Sequence, residues 1–247
     1  MQENQEQSQT QSKSLFLVSS AIHTRFGVYK KYERVEQTIE TCKSIRERVP
    51  DADIIILDGG EKDVSDEEKQ LLSPHIDGFY SFADADNVKA VQKSTSQDVV
   101  KNMIEIIMFG SFFDMMAKEG WNKKYNRIFK VSGRYTLNEH FNYQAHLNAK
   151  NKVVIRGPYT SQFTPDITGG IRLQYMSRLW SFDVSLLDYM NTTYFEMFKH
   201  MNHVLTNGGY VDIEHLLFDH IDAKAVENIG VLGIQGHIAP NGNGVND

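Results

Sequence analysis

Short apolar runs alternate with segments of helical periodicity through the first part of this chain, and no other feature limits the fold as strongly. The run at residues 15–20 is apolar until its two closing serines, as expected of a strand buried on both faces of a sheet. A second run, Asp-Ile-Ile-Ile-Leu at residues 53–57, ends at an Asp-Gly-Gly turn. Further strands are predicted at residues 78–82, 127–131 and 152–156.

Helical segments separate these strands. Apolar residues recur at helical spacing between Val35 and Val49, and Pro50 closes that helix. Residues 66–72 form a short helix, and residues 99–117 form a long one that is buried because it is apolar nearly all round. The β-α-β-α-β-α-β order predicts an α/β fold with a mostly parallel central sheet and helices on both faces. In such sheets, ligands bind beyond the carboxyl ends of the strands.

Residues 14–240 are expected to form a single domain. Its second half is less regular, with a strand or hairpin at residues 173–182 and a helix at residues 194–205. A further amphipathic helix follows, which Asp212 could cap. Polar residues 1–13 are expected to be disordered and the Asn/Gly-rich residues 241–247 to be a flexible tail.

Composition excludes several classes of function. The formal charge is −6, whereas nonspecific nucleic-acid binding needs a basic surface. No apolar run is long enough to span a membrane, and the polar start lacks the apolar segment of a secretory signal. Cys42 is the only cysteine, so an internal disulfide is impossible and a reducing, cytoplasmic compartment is expected.

Polar side chains follow the first two predicted strands. Ser19, Ser20 and Arg25 could hold the base, ribose or diphosphate of a nucleotide, and Asp58 could accept hydrogen bonds from a ribose or a base edge. The alternatives are an ordinary polar loop and a turn-forming aspartate before two glycines. Neither a Gly-x-Gly-x-x-Gly turn nor a P-loop is present, which disfavours those two nucleotide sites.

Two further strand ends carry candidate ligands. Asp84 and Asp86 form an Asp-x-Asp that could share Mn²⁺ or Mg²⁺, although such pairs are common in loops without metal. At the end of the fourth strand, Gly133 would allow close approach of a ligand, and Arg134 offers a planar fork for phosphate. The same segment contributes Lys130 and Ser132 to the predicted donor site.

The second half offers candidates for acceptor binding and for the catalytic base. Asp212 or Glu214 could take a proton from an acceptor hydroxyl. Alternatively, these carboxylates could cap a helix and interact favourably with the helix dipole. Trp180 and Tyr210 could contact the acceptor, with core packing as the alternative for the tryptophan. His237 lies in a late loop that could close over the donor.

His215, His220 and the distant His237 could ligate a metal. His215 and His220 are five residues apart, which does not place them on one helix face, so a two-histidine zinc site is not expected from sequence.

Several segments resemble the small A-type (GT-A) glycosyltransferases found in bacteria and large DNA viruses. The resemblance rests on TRFGVY at residues 24–29, ERVEQT at 33–38 and TCKSIR at 41–46, followed by the strand ending in Asp at 53–58. The segment IFKVSGRY at residues 128–135 resembles the central strand of that family. The resemblance implies a GT-A fold and a nucleotide-sugar donor.

The resemblance also implies a metal site that this sequence alters. Many A-type enzymes carry a metal-binding Asp-x-Asp after the central strand, where this chain has Ser132-Gly133-Arg134. Either Asp84 and Asp86 replace it, or Arg134 and Lys130 neutralise the diphosphate without metal. Both alternatives remain open at this point.

The function expected from the residues and the resemblance is transfer of a sugar from a nucleoside-diphosphate sugar, UDP-linked, to a hydroxyl of a glycan or other acceptor. The pair Asp212-x-Glu214 resembles the acidic pair of inverting members. One alternative is a nucleotidyltransferase that makes the activated sugar, which the absence of a Gly- and Lys-rich loop after the first strand disfavours. The other is a non-catalytic domain that binds a nucleotide-sugar or a protein partner.

Overall fold

The structure is a computed structural model and describes residues 13–238 and 242–247. The predicted disorder of residues 1–13 therefore falls outside the described residues except for Lys13, which begins the first strand. Within the described part of the chain, the strands are β1 Lys13–Ser20, β2 Asp53–Asp58, β3 Gly78–Ser81, β4 Tyr125–Ser132, β5 Tyr135–Leu137, β6 Val153–Ile155, β7 Tyr159–Thr160, β8 Leu173–Gln174, β9 Leu179–Asp183, β10 Val226–Asn228, β11 Ile234–His237 and β12 Gly244–Asn246.

The α-helices connect these strands and cover the sheet. Polar side chains define several of their starts: Ser65 and Glu68 form a reciprocal capping box, and Asp212 accepts a hydrogen bond from the His215 N–H. The helices are α1 Lys31–Arg48, α2 Asp66–Leu72, α3 Asp86–Val91, α4 Gln97–Lys118, α5 Tyr143–Asn148, α6 Leu187–Thr206 and α7 Ile213–His220.

The main sheet has seven strands in the order β10-β6-β9-β4-β1-β2-β3. β1 pairs in parallel with both β2 and β4, and β2 pairs in parallel with β3. β9 runs antiparallel to both of its neighbours, β4 and β6. The predicted mostly parallel sheet is confirmed. The reversed β9 was not predicted because an apolar run gives no information on strand direction.

Alternating side chains of β1 divide the core into two layers. Leu15 and Leu17 pack on the face covered by α4, α6 and α7, whereas Phe16 and Val18 pack on the face covered by α1. All four side chains are fully buried. Burial on both faces explains the nearly continuous apolar run at this position.

A small second sheet of β12, β11 and β5 includes the end of the described chain. β12 pairs antiparallel with β11, and the Asp247 carbonyl accepts hydrogen bonds from the N–H groups of Gly233 and Ile234. Residues 244–246, which the sequence analysis placed in a flexible tail, pair here as a strand. An edge strand needs only backbone pairing on one side, which Gly and Asn permit.

The described residues contain no helix with the length and apolarity required to cross a membrane.

The buried indole of Trp180 tests this description of the core. Trp180 is 1% exposed in β9, with its ring beside those of Phe182 and Tyr194. We expect Trp180→Ala to lower the free energy of unfolding by about 3–5 kcal/mol, the usual cost of a large cavity. Phe195→Ala is the control: that ring is 61% exposed, and its removal should cost about 0.5 kcal/mol or less. Equal losses in urea unfolding would contradict the assignment of Trp180 to the core.

Candidate active site at the carboxyl ends of the parallel strands

A cleft of about 200 Å³ opens where β1 and β4 end, bordered by α4 and α7. Ser19 and Ser20 lie at the end of β1, Ser132 ends β4, and Arg134 lies two residues further on. These four residues were predicted from the strand-end rule, and the structure brings them together with Glu214. The other polar side chains lining the cleft are Thr24, Arg34, Gln92, Gln97, Lys101, Glu105, Ser177 and Arg178.

The cleft is cationic although the chain is acidic overall. Four basic side chains line it, against the two carboxylates of Glu105 and Glu214, whereas the formal charge of the whole chain is −6. This concentration of positive charge suits an anionic ligand, because a cleft of one sign focuses the field on its occupant. The four basic residues are Arg34, Lys101, Arg134 and Arg178.

Arg134 is a cleft cation without a carboxylate partner among the described residues. No ion pair joins it to any of the described carboxylates, and its buried Nε has no hydrogen-bond partner there. The guanidinium lies 5.8 Å from the Tyr135 ring centre, and that of Arg178 lies at the same distance from that ring. Tyr135 therefore holds two guanidinium groups beside one cleft. A buried donor without a partner is costly, so this geometry favours a ligand that accepts its hydrogen bond.

Arg34 joins the cleft wall through the loop after β1. Its guanidinium donates to the carbonyls of Phe26, Tyr29 and Ala21 at 2.9, 3.3 and 3.4 Å. Burial, followed by repulsion from Arg134, lowers the pKa of Arg34 from its usual value. The repulsion reflects the crowding of positive charge that an anion in the cleft would relieve.

Below the cleft, Lys130 and Glu105 form a buried ion pair. Lys130 is 1% exposed, and its Nζ lies 2.7 Å from Glu105 Oε1. The ammonium also donates to Ser132 Oγ at 2.8 Å and to the Ser177 carbonyl at 2.6 Å. Lys130 was predicted to bind the donor, but it does not line the cleft because these three partners hold it inside. Its role here is to orient Ser132 and Glu105.

Glu214 projects into the cleft from the first turn of α7, as predicted. Ser177 Oγ donates a short hydrogen bond to its carboxylate. Burial raises the pKa of Glu214 above its ordinary value of 4.5, Lys101 opposes the rise and Asp212 adds to it. A raised pKa makes this carboxylate a stronger base once ionised.

Asp58 does not reach the cleft, contrary to the sequence prediction. The side chain is fully buried, and its carboxylate accepts hydrogen bonds from the Ile22 N–H at 2.9 Å and the Gly60 N–H at 3.0 Å. Burial raises its pKa, and the two backbone hydrogen bonds oppose the rise. Asp58 thus fixes the loops after β1 and β2 instead of a ribose.

Two other predicted donor-binding residues, Arg25 and Gly133, also make contacts within the protein. Arg25 bonds to Glu61 at 2.6 Å and to the carbonyls of Gln92 and Ser94, so it ties loops together outside the cleft lining. The Gly133 N–H donates to the Ser19 carbonyl, and a side chain at Gly133 would meet that oxygen at 3.1 Å. Close approach at this glycine is therefore by β1, not by a ligand.

His237 is exposed at the end of β11 and does not line the cleft, although the next residue, Ile238, does. The loop predicted to close over a donor continues into residues 239–241, which lie outside the described residues.

Asp84 and Asp86 lie away from the cleft. The Asp84 side chain is 89% exposed and ion-pairs with Lys89 at 2.8 Å, and Asp86 begins α3. Neither lines the cleft. Binding of a cation by these two residues stays a prediction.

The predicted acceptor residues lie elsewhere too. Trp180 is enclosed in the core, so it cannot stack on a sugar. Tyr210 lies outside the cleft lining, where its hydroxyl accepts a hydrogen bond from Asn102 at 3.2 Å. Asp212 caps α7 and also bonds to His215 Nδ1, so its carboxylate is occupied and does not line the cleft. Of the predicted acidic pair, Glu214 alone faces the cleft.

The sequence did not reveal Lys101, Arg34 and Arg178 as cleft residues, and for Glu105 a position at the helix surface was the default expectation. Lys101 and Glu105 are four residues apart on α4, a spacing that places them on one helix face. That polar pair within an apolar helix was the available signal. Arg178 follows a turn between two short strands, which no local pattern located.

The similarity of this chain to known proteins lies in its fold. No family model matches the sequence, and no curated protein matches it significantly. Among solved structures, the mannosyltransferase Ktr4p from S. cerevisiae superposes with a TM-score of 0.55 at 9% identity, covering 94% of this chain and 73% of that chain. Core-mannan synthase A (CmsA/Ktr4) from Aspergillus fumigatus, in its Mn/GDP form, gives 0.53 at 12% identity over 94% and 77%.

The fold is GT-A-like. The sequence prediction of that fold is thereby confirmed, while identities this low show the fold alone. Both structures are of fungal proteins, so they do not support the bacterial and viral side of the resemblance. In the GT-A-like frame, the cationic cleft lies at the carboxyl edge of β1 and β4.

The buried pair of Lys130 and Glu105 can be tested by unfolding. Glu105→Gln leaves the buried ammonium without its counter-charge, so we expect a loss of about 3–5 kcal/mol. The double variant Lys130→Met/Glu105→Leu removes both charges and should recover most of that loss. A double variant less stable than Glu105→Gln alone would contradict this account of the pair.

Proposed function

We propose that this protein is a glycosyltransferase that moves a sugar from a nucleoside-diphosphate sugar to a hydroxyl of a glycan or other acceptor. The observation that carries the proposal is Arg134, a cleft guanidinium without a carboxylate partner among the described residues, at the carboxyl edge of a GT-A-like sheet. Planar guanidinium groups suit phosphate oxygens, which accept paired hydrogen bonds.

Departure of the nucleoside diphosphate develops about two to three negative charges, which a glycosyltransferase must stabilise. In this cleft, Arg134, Arg178 and Lys101 supply positive charge at fixed positions. Preorganised charges of this kind stabilise the leaving group without reorganisation during the reaction.

The cleft does not fit a divalent cation. Of its two carboxylates, Glu105 is neutralised by Lys130 and Glu214 is held by Ser177, and four basic side chains repel a cation. Mn²⁺ belongs to the Aspergillus structure, and no part of the proposed reaction here uses a metal. We therefore adopt the metal-free alternative for the leaving diphosphate.

For the donor, we propose GDP-mannose as the first nucleotide-sugar to test, with UDP-sugars as the comparison. The two similar structures are of mannosyltransferases, and one holds GDP. They lend no support to the UDP donor expected from sequence. The buried, unpaired Cys42 accords with our proposal that the protein works in a reducing, cytoplasmic compartment.

Glu214 is the catalytic base in this proposal. Its carboxylate takes the proton of the acceptor hydroxyl as that oxygen attacks the anomeric carbon and the nucleoside diphosphate departs. Attack opposite the leaving group inverts the anomeric configuration. Proton NMR of the first product formed checks the stereochemistry, and a product of retained configuration would exclude Glu214 as a simple base.

Binding of the diphosphate can be tested by thermal melting. GDP or UDP should raise the Tm of the wild-type protein more than NAD or S-adenosylmethionine does, with or without a chelator. Arg134→Ala should lower the affinity for the diphosphate by about tenfold or more, since a charged hydrogen bond contributes about 1.5–3 kcal/mol. Arg172→Ala, at an exposed arginine outside the cleft, is the matched control. A larger shift with NAD, or equal affinities in the two variants, would refute the proposed donor site.

Replacement of Glu214 tests the proposed base. Glu214→Gln keeps the shape and the acceptor for Ser177 but removes the basicity, so we expect turnover to fall by about 10²-fold or more. Because burial raises the Glu214 pKa, kcat/KM of the wild-type protein should fall on acidification with a midpoint above pH 4.5. The variant should lack that fall. Ionisation of this buried group costs stability as pH rises above its unfolded pKa, so the variant should be at least as stable at pH 7.

Asp212→Asn is the control for the base. Asparagine caps a helix about as well as aspartate, so we expect both stability and turnover to be largely kept. The opposite result, normal turnover in Glu214→Gln and loss in Asp212→Asn, would move the base to Asp212. Donor binding without turnover toward any hydroxyl acceptor would favour a binding domain over an enzyme.

A further inference from the structure

Three potential metal ligands converge where the second half of α6 meets the end of α7. His200 on α6 approaches Asp219 and His220 on α7, and one ligand atom from each lies within 4.8 Å of the other two. No other group of three such ligands is found in the part of the chain that the structure describes. None of the three residues lines the cleft.

The distances between these atoms match a tetrahedral coordination shell. His200 Nδ1 lies 2.9 Å from His220 Nε2 and 3.4 Å from Asp219 Oδ2, and His220 Nε2 lies 3.9 Å from Asp219 Oδ2. A tetrahedral zinc ion, with bonds of about 2.0–2.2 Å, separates its ligand atoms by about 3.3–3.6 Å. The three observed separations bracket that value, so small side-chain rotations suffice to admit an ion.

From this juxtaposition we propose a zinc-type transition-metal site formed by His200, Asp219 and His220. Two imidazole nitrogens and one carboxylate oxygen are a ligand set that Zn²⁺ accepts, with water in the fourth position. The three side chains are 26%, 43% and 20% exposed, so the fourth position faces solvent. Metal binding replaces the hydrogen bond between the two histidines and joins α6 to α7.

The surroundings favour a cation. Asp219 and the nearby Glu196 both place negative charge beside His220, and Lys199 pairs with Glu196 at 2.9 Å. The sequence did not reveal this site because its two histidines lie on different helices. His215 is nearer to His220 in sequence, but it bonds to Asp212 and Ser161 in the interior.

The site is separate from the proposed catalytic chemistry. Glu214 lies in the first turn of α7. The two ligands on that helix, Asp219 and His220, lie at its other end, about 8–9 Å along the helix axis. Metal binding is therefore expected whether or not the cleft binds a nucleotide-sugar. Its expected effect is to fasten α7 to α6 and so stabilise the fold by linkage.

The test uses the full chain without a histidine tag, stripped with a chelator and titrated with ZnCl₂. We expect one Zn²⁺ per chain, visible absorption of four-coordinate Co²⁺ in a parallel titration, and a rise in Tm of roughly 5 °C or more when free Zn²⁺ is about a hundred times Kd. His200→Ala, His220→Ala and Asp219→Asn should each weaken binding by at least about tenfold, since even loss of an outer partner of a ligand costs about 10- to 100-fold.

His203→Ala is the matched control, because it removes an exposed histidine of the same helix that is not in the cluster. It should bind Zn²⁺ as the wild-type protein does. Asp219→Asn is nearly isosteric, so it keeps the test valid if an alanine variant fails to fold. The proposal is overturned if the wild-type protein takes up no Zn²⁺ at micromolar free metal, or if the cluster variants bind as well as His203→Ala.

Discussion

The parallel pairing of β1 with β4 is the constraint on which the rest of this structure depends. The register runs from Leu15 opposite Ile128 to Ser19 opposite Ser132, so two strands distant in sequence end at the same edge. The Gly133 N–H donates to the Ser19 carbonyl and continues this pairing beyond the strand. As a result, the residue after Gly133, Arg134, faces the loop that follows β1.

Two basic side chains near that edge of the sheet differ in their partners. Lys130, two residues before Ser132 on β4, pairs with Glu105 and donates hydrogen bonds to two neutral oxygens, so it does not reach the cleft. Arg134 lacks such a partner and remains available. An acidic protein thereby presents a small cationic cleft, and its overall charge keeps other polyanions away. Under the proposed function, this combination would favour a compact anion such as a diphosphate over a long nucleic acid.

The sequence was sufficient where a local pattern has one structural meaning. The buried run of β1, the helical spacing of α1 and the Asp212 cap of α7 each fall where they were predicted. It was insufficient where one residue type serves two purposes. Asp58 at a strand end binds backbone N–H groups as readily as a ribose, and only the tertiary fold decides between them. Likewise, the apolar character of α4 concealed the polar face that borders the cleft.

The most direct measurement of the central claim is a crystal structure of this protein with a nucleoside diphosphate bound, solved in excess chelator. Our account predicts the diphosphate between the carboxyl ends of β1 and β4, with its oxygens within hydrogen-bond distance, about 2.7–3.2 Å, of the Arg134 guanidinium. A nucleotide bound elsewhere on the protein, or a cleft that remains empty at concentrations that raise the Tm, would contradict it.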